Sequence, residues 1–197
     1  MSLRRLLFGH ALFAALGTSA IAGCSGDPQP TSRAYIKSTV GAGVDGSAAC
    51  GVTDPDWVTI GDPKASKNDG DDQSGLTIHV SCSVKSNGDG SFSVNAIGTL
   101  GNKGSLTVNG KFTTSGDQSN IRGVFQRGDF GSFSDTACTV SYSLQPGFMG
   151  VAAGRVWGYI DCEHAADPNQ QRMDSKGNPI PRTCKAQGEF KFENCSQ

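Results

Sequence analysis

Leu76-Thr77-Ile78-His79-Val80-Ser81-Cys82-Ser83-Val84, then Asn87-Gly88-Asp89-Gly90, then Ser91-Phe92-Ser93-Val94-Asn95-Ala96, is the stretch that decides the fold class. Leu76, Ile78, Val80, Cys82 and Val84 alternate with Thr77, His79, Ser81 and Ser83. Successive side chains of a strand point to opposite faces, so one set is expected in a core and the other, His79 included, in water. The Asn-Gly-Asp-Gly run supplies the positive backbone angles of a tight hairpin. A second strand follows, with Phe92, Val94 and Ala96 on one face.

The pattern repeats outward. After Gly101-Asn102-Lys103-Gly104, the run Gly104-Ser105-Leu106-Thr107-Val108-Asn109 echoes Gly90-Ser91-Phe92-Ser93-Val94-Asn95 at an offset of fourteen residues. An even offset keeps the apolar residues on one face. Two copies fall short of a solenoid, so they read as neighbouring strands of one sheet. Further strands are expected near 121–126, 136–144, 155–162 and 184–193, and no stretch after the first 23 residues carries a capped helical stripe. Eight or more short strands with glycine-rich turns predict an all-β domain over residues 35–197, an antiparallel β-sandwich first and a β-barrel as the alternative, stapled by disulfides.

The staples are six cysteines: Cys50, Cys82, Cys138, Cys162, Cys184 and Cys195. An even set in an exported chain reads as three bridges among fifteen connectivities. A turn centred near residues 146–153 would put Cys138 opposite roughly Ile160, one diagonal step from Cys162, which makes that pair a candidate. Cys50 with Cys82 and Cys184 with Cys195 would complete the set. Zinc is not expected, because no C-x-x-C pair occurs. Cys162-Glu163-His164 is the nearest approach to a ligand cluster, and no metal or cofactor is predicted.

The chemistry-bearing residues are sparse. No G-x-S-x-G elbow exists, and neither His79 nor His164 lies in a motif that presents it to a serine. Paired carboxylates for glycoside cleavage would have to come from Asp129, Asp135, Asp161, Glu163 or Glu189, whose ordinary role is to solvate strand ends and turns. Lys67-Asn68-Asp69-Gly70-Asp71-Asp72-Gln73-Ser74-Gly75 is acidic but breaks the calcium-loop alternation at Gln73 and reads as a solvated loop. In Phe125-Gln126-Arg127-Gly128-Asp129-Phe130, Arg127 and Asp129 can bracket a turn. Trp157 and Tyr159 share a face opposite Val156 and Ile160, so they form either an exposed aromatic platform for a sugar or part of the core; Trp57 is a further aromatic of interest. The polar segment 163–183, with His164, Arg172 and three prolines, is expected to be a long interaction loop. Trp157, Tyr159, His164 and Arg172 are therefore the candidate ligand surface. No catalytic residue is assigned, and the domain is expected to be non-catalytic.

At the other end of the chain, Arg4 and Arg5 precede an apolar run from Leu6 to Ile21, broken by Gly9, His10 and Gly17, and closing in Ile21-Ala22-Gly23-Cys24. The run is too short to span a bilayer comfortably and has the charged start and small-residue end of an export signal. An aliphatic residue, two small ones and Cys at that position resemble the signal of bacterial lipoproteins. The resemblance covers the first 24 residues and names no family for the rest. It implies that residues 1–23 are removed, that Cys24 carries a diacylglyceryl group on sulfur, and that its new amino group is acylated, with palmitate a typical chain. Ser25, in place of the retention-signalling Asp, points to the outer membrane where there is one. Each buried methylene contributes about 0.8 kcal/mol, so several chains hold firmly. Residues 24–34 then form a short polar tether.

Removing the first 23 of 197 residues leaves 174, with 15 basic residues against 18 acidic ones. That balance provides no basic field, so nucleic acid is not an expected partner. The expected partners are the membrane, through Cys24, and an envelope protein or a carbohydrate.

Overall fold

The computed structural model describes residues 29–43, 50–52, 54–142 and 150–197. Cys24, the expected export segment and the first half of the turn expected at 146–153 lie outside them. Among the described residues the chain is all strand and turn: β1 Arg33–Gly43, β2 Asp56–Ile60, β3 Lys67–Asn68, β4 Asp72–Gln73, β5 Leu76–Ser86, β6 Ser91–Leu100, β7 Gly104–Thr113, β8 Gln118–Arg127, β9 Gly131–Ser141, β10 Gly150–Ala152, β11 Arg155–Met173 and β12 Pro179–Glu193. β1 begins at Arg33, so the last residues of the expected tether belong to the sheet.

The strands form one antiparallel sheet in the order β2-β1-β12-β11-β9-β8-β7-β6-β5-β4. It curls until it is nearly closed, so of the two expected all-β arrangements the barrel-like one describes it. Two devices bring its ends together. The β3 segment pairs with β1 at Ala34 and Arg33, and the turn after it bonds to β5 through Gly70 N to Ile78 O and Ile78 N to Asp71 O. On the same strand, Ser196 exchanges backbone hydrogen bonds with Cys82 and Val84, and Cys82 is bridged to Cys195. Near-closure of this kind shortens the unpaired edge that an open sheet presents to other chains.

The period-two reading holds along the meander. Ile78, Val80, Cys82 and Val84 are buried, as are Val94, Ala96, Leu106 and Val108, and β6 pairs with β7 in continuous register from Ser91↔Thr113 to Leu100↔Gly104. Phe112, Phe125, Phe133, Phe190 and Phe192 fill the interior, each fully buried. A side chain of that size stabilises the fold by roughly 1.5–3 kcal/mol when removed from water. Ile160 faces Val140 and Asp161 faces Thr139. That register is two residues from the expected one and brings Cys162 level with Cys138, to which it is bridged.

Two expectations need correction. Cys82 pairs with Cys195, not Cys50 with Cys82 or Cys184 with Cys195: barrel closure, set by contacts between residues 113 apart, decides the pairing. Segment 163–183 is also not a loop. β11 and β12 continue through it as a paired hairpin arm, Ala165↔Cys184 to Met173↔Pro179, with irregular register at Cys162/Ala165 and Asp167/Gln171. A hairpin that runs past the end of the core has little apolar surface to bury, so the alternation that marks the other strands fades there.

Candidate functional site

The two ends of the barrel differ. At one end β1, β11 and β12 meet in the row Arg33, Glu193 and Arg155, and the first described residues settle there: Asn194 Nδ2 donates to Thr31 O (2.9 Å) and Ser32 Oγ to Asn194 O (3.2 Å). A cleft of about 490 Å³ at this entry end includes Gln29, Pro30, Arg155 and Gln197 in its walls. β11 runs from Arg155 toward the arm, and β9 pairs with it from Ser141 opposite Tyr159 to Ser134 opposite Ala166. The β8–β9 turn therefore lies at the opposite end, beside the root of the arm.

The larger cavity, about 730 Å³, is at that arm end. It is built from Asp54 just before β2, the start of β2 (Asp56, Trp57), the β6–β7 turn (Asn102, Lys103) and the β8–β9 turn with the end of β8 (Arg127, Gly128, Asp129). Barrel mouths commonly hold ligand sites. Its centre is Arg127, whose side chain is 11 % exposed. The guanidinium lies over Trp57, 4.7 Å from the ring centroid, and 5.5 Å from that of Phe130. It donates Nε to Asp129 Oδ1 (2.8 Å) and Nη1 to the carbonyls of Asp54 (3.0 Å) and Asp56 (3.2 Å). Arg127 and Asp129 thus bracket a turn, as the sequence suggests, and Phe130 N closes it on Arg127 O. Below, Trp57 meets Phe130 and Phe133 edge to face at 5.6 and 5.8 Å, a geometry that aromatic quadrupoles favour. The result is an aromatic plug with a polar lip, on which the carboxylates of Asp54 and Asp129 remain exposed. The lip offers hydrogen bonds and charge to a polar ligand; the described residues that line it include no histidine or cysteine.

The expected ligand surface is divided. Trp157 and Tyr159 do lie opposite the buried Val156 and Ile160 face. Trp157 is nevertheless only 7 % exposed: Gly150 of β10 pairs with it and Lys191 Nζ sits 5.0 Å over its ring. A flat ring pair for a sugar is therefore not presented. Glu189 ties this surface together, accepting from Tyr35 Oη (3.1 Å) and Trp157 Nε1 (3.4 Å). Burial, then the charge of Glu189, raises the Tyr35 phenol; burial, then Asp161, raises Tyr159. His164 is exposed on the arm, its backbone N–H on Asp135 Oδ2 (3.3 Å), and Arg172 is half-buried near the tip. The four residues do not converge on one site.

Of the carboxylates proposed for glycoside cleavage, only Asp161 and Glu163 come together, and they do so on the ammonium of Lys185 and outside the cavity. Asp129 is on the lip, and Asp135 accepts the Ala137 N–H (2.8 Å). In the acidic segment before β5, Asp71 accepts from Asn68 N (2.8 Å), Asp72 from Gly75 N (3.1 Å) and Asp69 from Val80 N (2.9 Å), so these groups shape turns. Among the described residues no three His, Cys, Asp or Glu side chains converge to hold a metal ion. The Asp54–Trp57 wall of the groove was not legible, because nothing local in β2 signals that it packs about 70 residues away beside Arg127. No protein-family model, no curated protein and no solved structure matches this chain.

Proposed function

We propose that this chain is a lipid-anchored cell-envelope lipoprotein whose β domain works by non-catalytic binding or structural association with an envelope protein or carbohydrate. The observation that supports this reading is polarity. The chain enters the barrel at Thr31 and Ser32, whereas the groove around Arg127 and the β11–β12 arm are at the other end. Only a few residues separate Cys24 from Thr31, and an extended chain covers roughly 3 Å per residue. An acylated Cys24 would hold the entry end near the bilayer and turn the groove and arm toward partners beyond it. The non-catalytic part of the reading is supported by the use to which the lip carboxylate is already put: Asp129 Oδ1 accepts from Arg127 Nε at 2.8 Å and so holds the guanidinium over Trp57.

Cys24→Ser tests the anchor. The variant is expected to move from the membrane fraction to the soluble extracytoplasmic fraction and to lose incorporation of a labelled fatty acid. Unchanged partitioning and labelling would remove the basis for the reading.

A further inference from the structure

Among the described residues, Cys50 and Cys184 are the two cysteines outside the observed bridges, and the sulfur of one reaches the backbone of the other. Both are buried, at 1 % and 0 % exposure, and Cys184 Sγ is 3.8 Å from the Cys50 carbonyl oxygen. That carbonyl also accepts from Arg182 Nη1 (3.2 Å), two residues earlier on the same face of β12. The contact is close enough that a Cβ added at Gly51 would strike the Arg182 guanidinium. Segment 50–52 is thereby seated on β12 where β12 parts from β1, at the pair Gly43↔Cys184. The two bridges that are formed are those of an oxidising compartment, in which two further buried cysteines in residue-to-residue contact are expected to be oxidised together.

We propose that Cys50 and Cys184 form a third disulfide in the mature protein, pinning segment 50–52 to the root of the arm. It closes during folding, while the pair is still accessible, by exchange with the disulfide of an exported thiol oxidase. One cysteine thiolate attacks that disulfide to give a mixed disulfide, and the other then displaces the oxidase sulfur. Two electrons pass to the oxidase, which leaves as a dithiol carrying two protons, matching the two that the cysteines lose. Each of the three bridges then has its own place: Cys82–Cys195 where the barrel closes, Cys138–Cys162 between β9 and β11, and Cys50–Cys184 at the arm. The bridge is independent of the lipid anchor.

Tryptic cleavage separates the six cysteines into six peptides, which makes the test direct. Protein isolated from the envelope is alkylated in denaturant without reduction, digested and mapped by mass spectrometry. The expected product is peptide 38–64 joined to Thr183-Cys184-Lys185, lighter than the two thiol peptides together by two hydrogens, and absent after reduction. Recovery of both peptides alkylated, or of either joined to the peptide of another cysteine, would overturn the proposal. In a second measurement, Cys50→Ser and Cys184→Ser should each release about one alkylatable thiol per chain; release of none would count equally against it.

Discussion

At the level of single residues, the barrel interior is set by where side chains are missing as much as by where they are large. A Cβ placed on Gly123 would meet Cys162 Sγ at 2.8 Å, Ile160 Cδ1 at 3.0 Å and Cys138 Sγ at 3.1 Å. The Cys138–Cys162 bridge occupies the space that any other residue at 123 would need. Gly123→Ala is therefore expected to lower stability by about 1–3 kcal/mol, the cost of overpacking a dense core, read as a lower midpoint in chemical denaturation. An unchanged midpoint would mean that the bridge shifts freely. Glu193 shows the opposite balance: burial acts to raise its carboxyl, but Lys191 and Arg33, at 3.2 and 2.9 Å, outweigh it and the net shift is downward.

Among the elements, the β11–β12 arm is the one whose outer part, beyond Asp167, is built without a core. Its turn is held by polar bonds: Asp174 Oδ1 accepts from Lys176 N and Asn178 N, both at 2.8 Å, and Asp174 Oδ2 accepts from Asn178 Nδ2 at 3.1 Å. The bonds from Asn178 draw the Asp174 carboxyl below its usual range. At the root, Asp167 is buried and accepts from Asn169 N (2.8 Å) and Ser132 N (3.3 Å), and Gln170 Nε2 donates to Phe130 O (2.8 Å). Tip and root are thus separate devices. Asp174→Ala should speed amide hydrogen exchange across 172–180 while leaving global unfolding unchanged, because local opening need not involve the core; exchange that stays slow would place the order of the tip elsewhere. The same contrast explains what could be read from the sequence. β5 to β8 were legible because each has a core-facing side that writes an alternation of two. The arm writes none, since Met173 at its tip is 68 % exposed, and β2, β3 and β10 are too short to carry a period. The groove was half legible: the Arg127 turn is local, whereas its Asp54–Trp57 wall comes from a distant strand.

Taken as a whole, the molecule has three tyrosines, and the fold suppresses the ionisation of all of them. Burial is the leading cause at Tyr35, Tyr142 and Tyr159, and Tyr142 also donates to Thr113 O at 3.0 Å. An unfolded phenol ionises near pH 10. With folded values raised, the folded state holds protons that the unfolded state releases, so this contribution is fully present below about pH 10 and is lost as pH climbs toward the folded values. Phenolate absorbance should therefore stay flat through pH 10 and rise together with loss of the β circular-dichroism signal. A phenolate signal near pH 10 with the sheet intact would contradict this.

The order of strands also dictates an order in time. β1 is flanked by β12, and β5 receives Ser196 and the bridge from Cys195, so early strands wait for partners made more than a hundred residues later. Local hairpins such as β5–β6 and β6–β7 can form as soon as they emerge, but such distant pairings are slow because a long loop must first be closed. A chain delivered from its N-terminus therefore spends its transit with β1 unmatched on that side, and companions that shield nascent strands would matter most for this segment.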